Sequence, residues 1–437
     1  MADTGTDSQP SPRRRPRAPG WSTLLTTLIL LLPVAQTGRA DLEDGVIGTP
    51  QKRQELSALV SILRQLQTEG ELRGDLSTVS DQLNRSDDPQ RIRDGLRALL
   101  PPLARLSGVR DRFTGRTPTP DAQRRNPSAQ TVPPARQTTS LGNLLWLNST
   151  DPFTPSTQLW LEAYSDRSEN RTDDVFERFE ADNRGFSLGA DFGLRPGLTL
   201  GLSVGSGRGE LDSGRLGQDD LILEEYGVSL SFDRGDHAFF ANLAVSNTAI
   251  DRVRVMLIET ETARRVFSLG SEFDTRQTAY GVGYSYFWDY SPASALVPFA
   301  TVNRIFSETD DYIERGEGTL SLEVASEDLS QTMGSIGVAW SGSWSAGSNW
   351  LFAPNASLSF EHDFQAERSA TSYRFINIPR APRLRIDGLE SDADRWRFDI
   401  GLGLIHSSNF SIGINYQAHR KEDYRYDAAI MNIQLPL

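Results

Sequence analysis

From residue 157 to the C-terminus, apolar and polar residues alternate in short runs. In the last run Met431, Ile433, Leu435 and Leu437 fall on one side and Asn432, Gln434 and Pro436 on the other, flush with the end of the chain. Before it, Phe410, Ile412, Ile414, Tyr416 and Ala418 alternate with Ser411, Gly413, Asn415, Gln417 and His419. Earlier still, Trp396, Phe398, Ile400, Leu402 and Leu404 alternate with Arg397, Asp399, Gly401 and Gly403. Successive strand side chains point to opposite faces, so each run predicts a strand with one greasy and one wet face. A soluble sandwich would alternate too. Here the polar face is rich in Gly, Ser and Asn, and the runs approach the length of a tilted strand crossing a bilayer. That is the pattern of an outer-membrane barrel with lipid outside and water or chain inside.

Twelve strands are predicted. The first lies near 157–166, the second and third flank Arg195-Pro196-Gly197, and the fourth and fifth flank Asp233-Arg234-Gly235-Asp236. The sixth carries Tyr280 to Trp288, the seventh Leu296 to Val302, the eighth Ile336 to Trp344 and the ninth Phe352 to Phe360. The three runs above complete the set. Connections near 195, 235, 291, 346 and 407 are short, whereas 167–182, 206–221, 250–274, 306–330 and 361–393 read as long acidic loops. The connection near 420–425 is a short exception. An up-and-down barrel keeps short turns on the periplasmic side and long loops outside, which puts both ends of the barrel domain in the periplasm. Trp288, Tyr290, Trp344 and Tyr424, at strand ends, fit interfacial girdles.

The region before the ladder reads differently. Residues 1–40 fit a signal peptide: Arg13, Arg14, Arg15 and Arg17, then an apolar run Trp21–Thr37 broken by Pro33, then Gly38-Arg39-Ala40 before Asp41. The run is short for a membrane anchor, and Arg13-Arg14 lacks the context of a twin-arginine signal. Residues 41–110 read as a short helical segment. Leu56, Leu59, Leu63 and Leu66 share a helical face, with Gly70 as a stop. A second helix starts at Pro89 and carries Ile92, Leu96, Leu99 and Leu100 up to Pro101-Pro102, and Leu83 fits a short helix between the two. A hairpin or partly ordered stalk suits these helices better than an oligomerising coiled coil, which would need more clean heptads. Residues 111–140, with Pro118, Pro120, Pro127, Pro133 and Pro134 among Thr, Arg and Gln, read as a disordered linker. Residues 141–156, opening Leu141-Gly-Asn-Leu-Leu-Trp-Leu147, are the candidate lumen plug.

Composition narrows the class. Mean hydropathy is −0.42 and no apolar run after residue 40 is long enough for a membrane helix, so a helical membrane protein is excluded. There is no cysteine, which suits a chain that crosses an oxidising compartment unfolded and removes thiolate chemistry. The net charge of −13 argues against nucleic acid as a partner.

Several elements resemble the β-domain of autotransporters, the type V secretion proteins. They are Trp160-Leu-Glu-Ala-Tyr164, Leu188-Gly-Ala-Asp-Phe192, Tyr226-Gly-Val-Ser-Leu230, Ala279-Tyr-Gly-Val-Gly-Tyr284, and Leu296-Val-Pro-Phe-Ala300 with its echo Phe352-Ala-Pro-Asn-Ala356. The resemblance covers 157–437. It implies an all-β fold, a twelve-stranded antiparallel transmembrane β-barrel preceded by the small helical and disordered region. It further implies a location in the outer membrane of a Gram-negative bacterium and an upstream passenger. The implied partners are outer-membrane lipid, the outer-membrane assembly machinery and periplasmic chaperones, and the barrel is expected as a monomer. A bore of this size leaves room for one helix. The chain departs from the family in ending on Leu437 rather than Phe or Trp, and in a passenger of only about 110 residues.

No residue set points to catalysis, a cofactor or a metal. All four histidines, His237, His362, His406 and His419, lie in the barrel, so the passenger holds no His-based triad or metal site. Gly201-Leu-Ser203-Val-Gly205 matches a nucleophile elbow but sits mid-strand, and His362-Asp363 matches a rim protease pair without its partner motif. Asp219-Asp220 and Asp310-Asp311 lack calcium-loop spacing, and Arg234-Gly235-Asp236 falls in a periplasmic turn. No Asn-Asn pair near the plug offers a self-cleavage site. The sequence supports an outer-membrane translocator with a short helical passenger; the alternative is a structural or pore-forming barrel with a periplasmic N-terminal segment.

Overall fold

The alternation predicts its own ladder, and the computed structural model contains it. Residues described are 157–437 apart from short breaks at 171–178, 214–216, 260–263, 292, 317–319, 348, 366–369, 377, 379–381, 388–392, 409 and 422–423. Upstream they are Leu59, Leu63, Gln65–Gln67, Gly74–Arg85 and Leu99. The expected signal peptide, linker and plug segment lie outside the described residues.

Twelve long strands form a closed antiparallel barrel. They are β1 (Thr157–Asn170), β2 (Phe179–Arg195), β3 (Leu198–Asp212), β4 (Gly217–Arg234), β5 (His237–Glu259) and β6 (Arg264–Tyr286). Then come β7 (Ser294–Thr309), β8 (Glu327–Gly342), β9 (Trp350–Asp363), β10 (Asp394–His406), β11 (Ser411–Arg420) and β12 (Tyr424–Pro436). Each pairs with its chain neighbours, and β1 pairs with β12 from Gln158↔Pro436 to Asn170↔Tyr424. Among the described residues the ladder closes on itself, with no hydrogen-bonding edge left open, which is what a strand in hydrocarbon requires. The Leu437 amide donates to the Thr157 carbonyl at 3.0 Å, so both ends of the barrel domain lie at the short-turn end.

The tight turns fall where expected. Gly197 and Gly235 take φ of 77° and 62°, and a Cβ at Gly197 would strike the Asp233 carbonyl. Around the belt Leu159, Leu188, Leu202, Val228, Leu243, Val282, Leu402 and Met431 face outward and are exposed, while Gln158, Asp191, Thr199, Ser231, Asn355 and Asn432 face inward. Exposed leucines in such a ring face lipid rather than water. Trp288 and Tyr290 lie exposed at the short-turn end, where the Trp340 indole donates to the Tyr290 hydroxyl at 2.9 Å. Tyr424 departs from the girdle assignment. It shares the inward parity of Tyr426, Ala428 and Ile430 and packs against Tyr164 and Tyr426.

The expected long loops are mostly strand. β5 and β6 each run 23 residues, roughly 75 Å at about 3.4 Å per residue. Even tilted, about half of that stands beyond a hydrocarbon layer of about 30 Å. Beyond the belt the polarity of the two faces reverses. Phe179, Ala181, Leu211, Leu221, Leu223 and Ile250 turn inward as one buried cluster. Asp182, Glu210, Asp220, Asp251 and Glu272 turn outward and are exposed or nearly so. Outside the membrane the outer face meets water, so the barrel wall adopts the inside-out rule of a soluble protein.

Candidate functional site

The outer mouth is covered by a second sheet built from two connections. Tyr312–Ile313, Leu322–Val324, Ala370–Phe375 and Leu384–Asp387 pair antiparallel, the first two from the β7–β8 connection and the last two from the β9–β10 connection. One face is apolar: Tyr312, Leu322, Val324, Tyr373, Phe375 and Leu384 are buried. The other carries Glu323, which pairs with Arg374 and, at 2.8 Å, with Arg383.

The cap is fastened to β5 by buried charge. Arg254, with its side chain 1% exposed, donates from Nε to Glu314 Oε1 at 2.7 Å and from Nη2 to Oε2 at 2.5 Å. Glu314 also accepts from the Leu322 amide at 3.0 Å, and Arg254 reaches the Leu320 carbonyl at 3.2 Å. Two residues along β5, Arg252 binds Asp219 with both Nε and Nη2 at 2.9 and 2.5 Å and donates to the Tyr312 hydroxyl at 3.2 Å. Phe273 stacks on Tyr312 at 4.3 Å and lies 5.0 Å beneath the Arg252 guanidinium. Burial alone would lower the pKa of Arg252, but Tyr312 and Asp219 beside it outweigh that and push it up, so the group stays charged. Burial also pushes the Tyr312 hydroxyl above the ordinary tyrosine value, with Arg252 opposing. Asp219 falls in the stretch 206–221 that reads from sequence as a long acidic loop, yet it is 3% exposed and paired with Arg252.

The helical segment lies on this cap. Helix α1 (Gly74–Arg85) has Asp75 in its first turn, where a carboxylate suits the helix dipole, and buries Leu76, Val79 and Ser80 on one face. Leu59, Leu63 and Leu66, spaced for one helical face, are buried too, and the Gln67 amide reaches Asp81 at 3.3 Å. All five apolar residues, with Leu99, join one cluster with Met256, Phe267, Leu269, Leu320, Leu322, Val324, Tyr373, Phe375 and Leu384. Arg265, near the outer end of β6, pairs with Asp75 at 3.3 Å. The sequence places Leu83 in a short helix, and α1 contains it.

Inside the belt the lumen is polar and charged. Glu162, Asp166, Asp191 and Glu225 project from β1, β2 and β4, with Asp166 accepting from Asn183 at 2.8 Å. Across the bore Arg395 pairs with Glu361, and Arg397 donates twice to Asp399 at 3.0 Å. Asp399 further accepts from Ser357 at 2.8 Å and Gln417 at 2.9 Å. Aromatics lie over glycines: a Cβ at Gly185 or Gly207 would collide with the Tyr164 hydroxyl, and one at Gly189 with Trp160.

The motifs weighed for chemistry are not brought together. Ser203 lies mid-strand on the inward face, opposite Gly189 and Gly227. His362 points outward and meets Asp394 at 2.6 Å, while Asp363 points inward and accepts from Gln331. His237 bonds the Tyr284 hydroxyl at 2.8 Å and His406 the Ser408 hydroxyl at 2.8 Å, both at the short-turn end. His419 is fully buried in the lumen against Tyr426. Arg234-Gly235-Asp236 forms the β4–β5 turn at that same short-turn end. Asp310 and Asp311 are exposed, and among the described residues no group of three His, Asp or Glu gathers as a metal site would.

No curated protein sequence matches the chain significantly. Among solved structures, the translocator domain of the autotransporter NalP from Neisseria meningitidis is similar at a TM-score of 0.51 and 11% identity, covering 64% of this chain and 88% of that one. The β-domain of the Bordetella autotransporter BrkA gives 0.44 and 12% over 64% and 98%, and the transport unit of AIDA-I from Escherichia coli 0.41 and 12% over 66% and 92%. The family model described as the autotransporter β-domain matches residues 159–417. An outer-membrane barrel of this architecture, matched over that span, belongs to the autotransporter β-domain family.

Proposed function

We propose that this autotransporter barrel carries its own short helical segment to the outer face and keeps it docked there. The observation that supports this is the shared apolar cluster of Leu59, Leu63, Leu66, Leu76, Val79 and Leu99 with the cap sheet. The cap is made by the long connections, whereas β1 begins at the opposite, short-turn end. A chain that is helical at the cap and enters β1 at Thr157 has to traverse the height of the barrel, and the Gly-, Ser- and Asn-lined lumen is a polar route for it. In this reading 1–40 is the signal peptide, 41–110 the passenger, 111–140 the linker and 141–156 the segment that occupies the lumen. The chain is a monomer without catalysis of its own, delivered by periplasmic chaperones and inserted by the outer-membrane assembly machinery.

A tag placed near Asp41 tests the reading in intact cells. Added protease should remove the tag while the barrel stays whole. Removal only after the outer membrane is breached would put the segment in the periplasm and favour the structural or pore-forming alternative.

A further inference from the structure

Two arginines face each other on the outer wall. Arg184 of β2 and Arg208 of β3 are register partners, and both point outward and are exposed. Directly opposite residues in an antiparallel pair sit about 4.5–5.5 Å apart at Cα, and like charges so placed repel. The residues directly opposite them on the outer sides are not acidic, Ser165 of β1 for Arg184 and Ile222 of β4 for Arg208, while Asp220 and Glu224 lie diagonal to Arg208 on the same outward face. Asp182 and Glu210 form the next outward pair toward the cap, where Glu210 holds the Gln218 amide and Arg167, opposite Asp182, holds Glu180. Among the described residues neither Arg184 nor Arg208 makes an ion pair.

Depth gives the pair its meaning. Below them toward the membrane come Phe186, Leu188 and Val204, exposed and lipid-facing. The arginines therefore stand at the outer edge of the hydrocarbon belt, at headgroup level. We propose that Arg184 and Arg208 clasp a phosphate of an outer-leaflet lipid, whose acyl chains lie along Phe186, Leu188 and Val204. A phosphate takes two guanidinium forks at once and relieves the repulsion between them. A free anion would share the charge but have no use for the apolar strip below.

The test uses the full-length protein, folded in detergent, titrated with bis-phosphorylated lipid A, its dephosphorylated counterpart and inorganic phosphate. Wild type should bind the phosphorylated lipid about tenfold or more tighter than the Arg184→Gln/Arg208→Gln double variant, the loss of charged hydrogen bonds converted to affinity. The dephosphorylated lipid should not distinguish the two proteins. Phosphorylated lipid should also raise the thermal midpoint of wild type and leave the double variant unmoved, and each single variant should show an intermediate loss. Equal binding of phosphorylated lipid by both proteins overturns the proposal. So does competition by inorganic phosphate at the same occupancy without any lipid requirement, which would make the pair a plain anion site.

Discussion

Glu314→Gln removes one charge from the cap and leaves the shape of the side chain. Arg254 would then sit 1% exposed without its counter-ion. Breaking a buried pair from one side costs about 3–5 kcal/mol, because the remaining charge is stranded rather than solvated. At about 1.4 kcal/mol per decade, the open population of the cap rises between roughly a hundredfold and a few thousandfold. Trypsin reads this directly, since Arg374, Arg383 and Arg385 are exposed on the cap sheet. Cleavage follows the open population when opening is fast relative to cutting. The barrel should stay closed, seen as unchanged heat-modifiable migration, because the pair lies beyond the belt. Arg254→Met added to Glu314→Gln removes the stranded charge and keeps an acceptor for the Leu322 amide, so most of the protection should return. A cleavage rate for Glu314→Gln within about twofold of wild type would refute the reasoning, as would a double variant as labile as the single one.

Three further outcomes are expected. Leu76→Ala should destabilise the docked helical segment by about 2–5 kcal/mol and raise protease access to it. Gly207→Ala should lower the yield of folded barrel, since the new methyl meets the Tyr164 hydroxyl, and adding Tyr164→Ala should recover part of it; equal yields for wild type, single and double variants would remove the packing argument. Because burial raises the Tyr312 pKa in the folded cap, its contribution to stability is complete below the ordinary value near 10 and is lost as pH climbs through the raised value. Near-UV circular dichroism should therefore show an alkaline loosening in wild type that Tyr312→Phe lacks.

The belt was legible because lipid imposes one rule on every strand: Leu402, Leu404, Ile412 and Ile414 must face out, whatever their neighbours do. Strand number, register direction and the short turns followed. The cap was not legible, for a physical reason. Above the headgroups the solvent on the outer face changes from hydrocarbon to water, so the alternation reverses phase, and 206–221 and 250–274 read as acidic loops. Arg252, Arg254 and Met256 already share one parity, but a strand with two inward arginines is unreadable until Asp219 and Glu314 arrive from distant segments. Leu59, Leu63 and Leu66 announce a buried face, but helical spacing alone carries no information about its partner, which is the barrel's own connections. Tyr424 stands at a strand end, as a girdle residue would, but its parity is that of Tyr426 and Ala428, and parity decides which face it takes.

The seam between β1 and β12 joins residues at the greatest sequence separation in the barrel, from Gln158↔Pro436 inward. Contact order is therefore set by the last strand made. Every hairpin from β1 to β11 can form locally, but the cylinder stays an open, sticky sheet until residues 424–436 arrive, and loop closure over that distance is entropically late. A chain shortened by only its final strand would keep nearly all of its local pairings and still expose two unpaired edges. Truncation there should read out as aggregation and turnover rather than as a leaky but inserted barrel.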